Sequence, residues 1–188
     1  MTSVTRDTII KSALFLSSIS EEDYLNTTNK KRYDEIFDYL RRSLIANHRL
    51  DFTKREDVVL NTADEEGWYL EPSDLCQYGE GDQPCEVRIN EYSNNNVLEK
   101  RTEIKPRRKN KITYFADIDY YTNFPPPMLE ALRLKFMEAI SMMRTPVNPQ
   151  LGNYFYAKAQ EKEAQIQDWK TWAESPVIYN YKSTPRGF

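Results

Sequence analysis

Three consecutive prolines, Pro125-Pro126-Pro127, constrain this chain more than any other feature. Each lacks a backbone N–H and holds φ at about −65°, so the run fits neither a helix interior nor a paired strand. It makes a stiff corner and separates two kinds of pattern. Before it, KITYFADIDYYTNF (residues 111–124) is rich in the β-branched and aromatic residues that suit strands. After it, Leu129, Leu132, Phe136, Ile140 and Met143 recur on one helical stripe over 127–144. Proline is well tolerated in a first helical turn, so the corner leads straight into this helix.

The N-terminal part shows the same helical period. Ile9, Ile10, Ala13, Leu14 and Leu16 predict a short amphipathic helix over 7–19. Residues 21–28 form a polar connector, with Thr28 or Asn29 as the expected N-cap. Tyr33, Ile36, Phe37, Leu40 and Leu44 then predict a helix over 30–47, leaving Lys31, Asp34, Glu35, Asp38, Arg41 and Arg42 outside. Asp38 and Arg42 stand four apart in the favourable order for an ion pair. At the far end, Asn148 reads as a cap and Pro149 as the first residue of a helix over 150–173, bearing Tyr154, Phe155, Ala159, Ile166, Trp169 and Ala173.

Between about 50 and 121 the period moves toward two. Residues 49–53 alternate, 58–60 do so more weakly, and EVRINEY (86–92) alternates strictly. Ser93-Asn94-Asn95-Asn96 is a turn signal, because Asn tolerates positive φ, and residues 97–101 return as the second arm of a hairpin. Residues 112–116 add a further strand. The predicted fold is α+β: a bundle of about four helices with a small antiparallel β-sheet and hairpins inserted between its halves. One domain spans 1–175, and 176–188 forms an extended C-terminal arm.

Composition narrows the function. The 188-residue chain is 39% hydrophobic and 29% charged, with a mean hydropathy of -0.77, yet 13% of it is aromatic. Such a polar chain has a modest core, and its aromatic excess suits wet contact surfaces made on assembly. No apolar run reaches the roughly 18 residues a membrane helix needs, and the N-terminus lacks the pattern of a signal peptide. Cys76 and Cys85 flank a turn and are expected as free thiols in a reducing cytoplasm. His48 is the sole histidine, so no zinc site is expected; the His at a helix end is read as a capping residue. There is no Gly-rich phosphate loop among five glycines and no nucleophile–His–acid arrangement. No cofactor, metal or catalytic residue is expected.

Charge is unevenly placed. Residues 61–91 are acidic with Arg88 the only base, while Lys100, Arg101, Lys105, Arg107, Arg108, Lys109 and Lys111 form a basic run. Three readings of that run stand: a solvated loop, a surface complementary to an acidic neighbouring copy, or a nucleic-acid patch. The net charge of -3 and pI near 5.4 disfavour a dedicated nucleic-acid binder, which is usually basic.

The order of elements resembles the head-to-tail connector adaptors of tailed bacteriophages, in particular the tail tubular protein A-like adaptors of short-tailed phages. The resemblance is carried by the helix around Tyr33–Leu44 followed by an extended segment, by Trp68-Tyr69-Leu70-Glu71-Pro72-Ser73-Asp74-Leu75, by the strand at 111–115, and by Phe124-Pro125-Pro126-Pro127-Met128-Leu129-Glu130-Ala131-Leu132 with a long polar helix behind it. The chain departs from that pattern at Ile19-Ser20-Glu21-Glu22 and at Asn47-His48-Arg49. The resemblance implies a virion protein assembled in the host bacterial cytoplasm: a homo-oligomeric ring of about twelve copies beneath the portal protein, extending the DNA channel and offering a platform to the tail nozzle protein. DNA would pass without specific binding. The resemblance further implies a portal-binding arm with Tyr179, Tyr181, Arg186 and Phe188, and subunit or nozzle contacts at Arg101, Lys105, Arg107, Arg108 and Lys109. The alternatives are a small nucleic-acid-binding protein using residues 100–111, or another neck or tail-completion protein.

Overall fold

A computed structural model describes residues 4–61, 63–94, 97–143 and 147–174. Among these residues it has the expected α+β architecture: five α-helices and two three-stranded antiparallel sheets. The portal-arm residues Tyr179, Tyr181, Arg186 and Phe188 lie outside the described residues, as does residue 144, the expected end of the helix that follows the prolines.

Local chemistry sets the helix boundaries. Helix α1 (Arg6–Leu16) opens on a capping box: Thr5 accepts from the Thr8 N–H at 3.2 Å, and the Thr8 hydroxyl accepts from the Thr5 N–H at 2.8 Å. The expected polar connector instead contains a short helix, α2 (Glu21–Leu25). Ser20 caps it by accepting from the Asp23 N–H at 3.1 Å, and three carboxylates occupy its electropositive first turn. Helix α3 (Thr27–His48) consequently starts earlier than the spacing predicts. Its cap is Asn26, which accepts from the Thr28 N–H at 3.1 Å, rather than Thr28 or Asn29. It stops where Arg49 turns left-handed at φ 47°.

Helix α4 (Pro126–Met143) starts on the proline corner as predicted, with the Pro125 carbonyl accepting from the N–H groups of Met128 and Leu129. It packs against α1, α3 and the last helix, α5 (Pro149–Glu174). A helix touched from three sides must be apolar on more than one stripe. Met128, Ala131, Leu134 and Met137 are accordingly buried beside the predicted Leu132, Phe136 and Ile140. Phe136 meets Phe37 edge-on at 5.5 Å and Tyr33 at 6.2 Å, the geometry aromatic quadrupoles favour. Asn148 caps α5 through the Leu151 N–H at 3.1 Å, with Pro149 first in the helix. Phe155, Ala159 and Ile166 face the core, but Tyr154 is exposed; the side chains of Trp169 and Ala173 fall outside the described residues.

The single inserted sheet of the sequence reading is two sheets. The first has the order β1-β6-β3, from Lys54–Val59, Lys111–Ala116 and Leu75–Tyr78; the second is β2-β5-β4, from Tyr69–Leu70, Val97–Lys105 and Glu86–Asn94. Pro106 has no N–H to continue β5, and a tight turn (Lys111 N–H to the Arg108 carbonyl, Lys109 at φ 49°) redirects the chain into the other sheet. The alternation at 49–53 is not a strand: Asp51–Thr53 is a 3-10 turn, with the buried Thr53 hydroxyl donating to the Leu50 carbonyl at 2.7 Å. The β4–β5 hairpin is the predicted one, longer at both ends and paired without a bulge from Glu86↔Lys105 to Asn94↔Val97. Among the described residues, no helix is long and apolar enough to cross a membrane.

Candidate functional site

The second sheet is where the acidic and basic stretches meet. Its two long strands are antiparallel, so residues of the basic run stand directly across from residues of the acidic one: Glu86 opposite Lys105, Arg88 opposite Glu103, Glu91 opposite Lys100. Side chains alternate between faces, and the pairs on one face build a polar cluster. Glu103, only 4% exposed, accepts from Arg88 Nε at 2.6 Å, from Asn90 Nδ2 at 2.7 Å and from the Tyr92 hydroxyl. Arg88 extends the cluster to Glu66 at 2.9 Å and Asp64 at 2.5 Å. Its guanidinium also lies 4.3 Å from the Trp68 ring centre, and Lys105 Nζ lies 4.5 Å from it, so the indole is held by two cations.

These contacts shift the local acidities. The Tyr92 hydrogen bond, then Arg88, hold the Glu103 carboxyl below its ordinary range in spite of burial. Asp64 is lowered chiefly by the Trp68 backbone N–H, with Arg88 adding to it. The Tyr92 hydroxyl is correspondingly raised by its bond to Glu103.

The other face of the same strands is different. Val87 and Ile89 are 57% and 68% exposed, although Ile104, across from Val87, is fully buried. Because the strand order is β2-β5-β4, β4 is an edge, and among the described residues one side of its backbone has no strand beside it. Large apolar side chains are also exposed on other elements: Phe15 on α1, Tyr39 on α3, Tyr120 before α4 and Tyr156 on α5.

The sequence-predicted contact residues occupy this sheet and the turn after it, but they do not form a bare basic strip. Arg101 pairs with Glu99 at 2.7 Å and lies over the Tyr92 ring. Lys105 reaches Glu86 at 3.4 Å, Arg107 donates to the Gln83 carbonyl at 3.1 Å, and Arg108 pairs with Asp82 at 3.3 Å. Lys109 is exposed at the turn. Acidic and basic stretches thus meet within one chain, so their charges do not by themselves supply a contact between copies. Sequence reasoning missed Glu103 as the hub. The turn read at residues 93–96 would put Arg88 opposite Arg101 by counting, whereas the observed register, with Asn94 opposite Val97, puts it opposite Glu103.

A second polar cluster sits between α3 and the segment leading to α4. Arg41, expected outside, is 7% exposed. It donates to both carboxylate oxygens of Asp117 at 2.8 Å and to the Tyr121 hydroxyl at 2.9 Å. Arg42 also binds Asp117 at 2.9 Å rather than Asp38, which pairs with Arg6 and Arg41. Arg6, Asp38, Arg41, Asp117 and Tyr121 border a cleft of about 670 Å³ with Asp119 and Tyr120. Every charge named at its wall except Asp119 has an opposite charge within 4 Å, the arrangement of a structural joint. His48 ends α3, and its Nε2 stands 3.4 Å from Glu163, which also binds Lys135 at 2.7 Å. Cys76 and Cys85 are both free thiols. Among the described residues, no three His, Cys, Asp or Glu side chains are placed to hold a metal ion.

Compared with models of known protein families the chain matches none, and comparison with curated proteins likewise gives no match.

Proposed function

We propose that this protein is a head-to-tail connector adaptor of a short-tailed bacteriophage: a structural virion subunit that forms a ring beneath the portal protein, extends the DNA channel and carries the tail nozzle, performing no chemistry. The observation that carries the reading is the order of elements. A long β-hairpin stands between a helical N-terminal half and a helix that springs from a proline corner, with a long polar helix after it, the order that underlies the resemblance to those adaptors. Exposed aromatic side chains on α1, α3 and α5 and the apolar edge of β4 add support, because a ring subunit needs contact surfaces on more than one side. The tethered charges of residues 100–108 speak against a nucleic-acid strip: phosphates would have to displace carboxylates already in place.

The test is the mass of the complex formed with the candidate portal protein. The expected product carries about twelve copies per portal ring, as closed symmetry with the portal requires. Absence of any complex, together with salt-dependent retention of the lone chain on duplex DNA, would replace this reading with nucleic-acid binding.

A further inference from the structure

Long exposed strand edges are a liability in a soluble protein, and natural edges are blunted by shortness, bulges, proline or lysine. β4 has none of these, and its charged side chains, Glu86, Arg88 and Glu91, are each already in an ion pair. It is nine residues long, pairs with β5 in unbroken register, and contains neither Pro nor Lys. Its one base, Arg88, is tied to Glu103, Glu66 and Asp64 and does not guard the edge. Its outward apolar side chains are Val87 and Ile89. An edge with these properties is suited to accept another strand by main-chain hydrogen bonding, with alternate side chains giving specificity.

The same chain carries a matching segment. Beyond Glu174, residues 177–182 read Val-Ile-Tyr-Asn-Tyr-Lys. They combine β-branched and aromatic residues at the density that favours strands and would span roughly 20 Å extended. Their alternation puts Val177, Tyr179 and Tyr181 on one side, where they would extend the Val87–Ile89 face with aromatic–aliphatic cross-strand pairs. The whole stretch 175–188 has two basic residues, Lys182 and Arg186, and no acidic one. Around β4, the six carboxylates of Asp64, Glu66, Glu86, Glu91, Glu99 and Glu103 are all ion-paired but outnumber the four bases Arg88, Lys100, Arg101 and Lys105. With these carboxylates already paired, the net excess of acid favours a basic segment only weakly, and the strand edge itself supplies the contact.

We propose that residues 177–182 of one copy add as a fourth strand to the free edge of β4 in the next copy. Each subunit then gives one strand and receives one, which is a heterologous contact able to close a ring. Tyr179 and Tyr181 would then serve the contact between copies instead of the expected portal-binding arm, of which Arg186 and Phe188 lie past the paired stretch and remain available to a further partner. The inference rests on the adaptor reading only in needing a second copy.

The test is disulfide trapping in the full-length chain after Cys76→Ala and Cys85→Ser. One tagged preparation carries Tyr179→Cys. Others carry Val87→Cys, Ile89→Cys or Glu91→Cys in turn, which covers neighbouring registers, because a disulfide forms only at short Cα separations. The preparations are mixed with and without the portal protein and oxidised. The expected result is a covalent heterodimer, twice the chain mass of 22.3 kDa, from at least one edge position. A chain carrying both cysteines that closes only on itself overturns the exchange between copies. A portal complex of ring stoichiometry with no cross-link overturns the exchange and leaves the adaptor reading standing. A cross-link without a portal complex upholds the exchange and removes the adaptor, and neither product overturns both.

Discussion

Arg41 of α3 and Asp117, which follows β6, face each other through two parallel hydrogen bonds of 2.8 Å. Both side chains are largely buried, at 9% and 13% exposure. Forked guanidinium–carboxylate geometry of this kind is the strong form of an ion pair. It ties the helical N-terminal half to the strand-to-helix segment that carries the proline corner, and Arg42 reinforces it from the same helix.

Removing Asp117 leaves the buried Arg41 guanidinium with only the more exposed Asp38 at 3.1 Å and the Tyr121 hydroxyl. Asp117→Ala should therefore cost about 3 kcal/mol, the scale for breaking a buried pair, whereas Arg41→Met with Asp117→Asn should cost clearly less because no uncompensated charge remains. Urea unfolding midpoints of the two variants check this. Equal losses would mean that the joint acts through packing alone.

The same residue shows where sequence reading stopped. Periodicity placed Leu44 and Phe37 in the core correctly, since apolar residues at helical spacing have one plausible destination. It placed Arg41 outside, because a charged residue is buried only when a partner awaits it, and that partner lies 76 residues away. The hairpin was legible because alternation and the Asn-rich turn agree. The division into two sheets was not, for β2 and β3 are too short to show a period, and only pairing decides which sheet they join. The starts of α2 and α3 were shifted by caps at Ser20 and Asn26 that a polar stretch offers in several places. Exposure of Val87 and Ile89 was invisible in an alternation that reads equally well as core.

The carboxylate hub of the hairpin predicts a pH response. Glu103 titrates below its ordinary 4.5 in the folded chain, mainly through the Tyr92 hydroxyl and Arg88. A carboxyl lowered by folding stabilises the native state above its unfolded pKa, and that stabilisation disappears as pH falls through the lowered native value. Wild type should hold its stability down to about pH 4.5 and lose it below, while Glu103→Gln, weaker at neutral pH, should lose less over that acid range. Denaturation midpoints at stepped pH measure the two slopes. Parallel slopes would remove Glu103 from the account.

Gly79 predicts a packing limit. It donates its N–H to the Thr113 carbonyl at 2.7 Å, and a Cβ there would lie 3.0 Å from that oxygen and from Thr113 Cγ2. The oxygen belongs to β6, the middle strand of its sheet, and cannot withdraw without breaking pairs. Gly79→Ala should cost about 1–3 kcal/mol, the usual range for overpacking. Thermal unfolding checks it; an unchanged midpoint would show that the loop yields instead.

The two thiols should part company chemically. Cys76 lies in β3 beside α3 and is half-buried; burial pushes its thiol up to about 11, and the nearby Asp117 carboxylate adds to this against the opposing pull of Arg42 and Arg41. Cys85 is exposed at the foot of β4. Thiolate, not thiol, is the nucleophile, so reactivity follows both access and the fraction ionised. At pH 8 Cys85 should be alkylated by iodoacetamide at least tenfold faster than Cys76, because Cys76 is both less accessible and held above the ordinary thiol range. Peptide mass mapping against time reads both sites at once. Under denaturant the two rates should converge, because the cause is the fold around Cys76 and not its neighbours in sequence. Equal rates in the native chain would mean that β3 opens faster than the reagent reacts, and would place this edge of the first sheet among the least stable parts of the molecule.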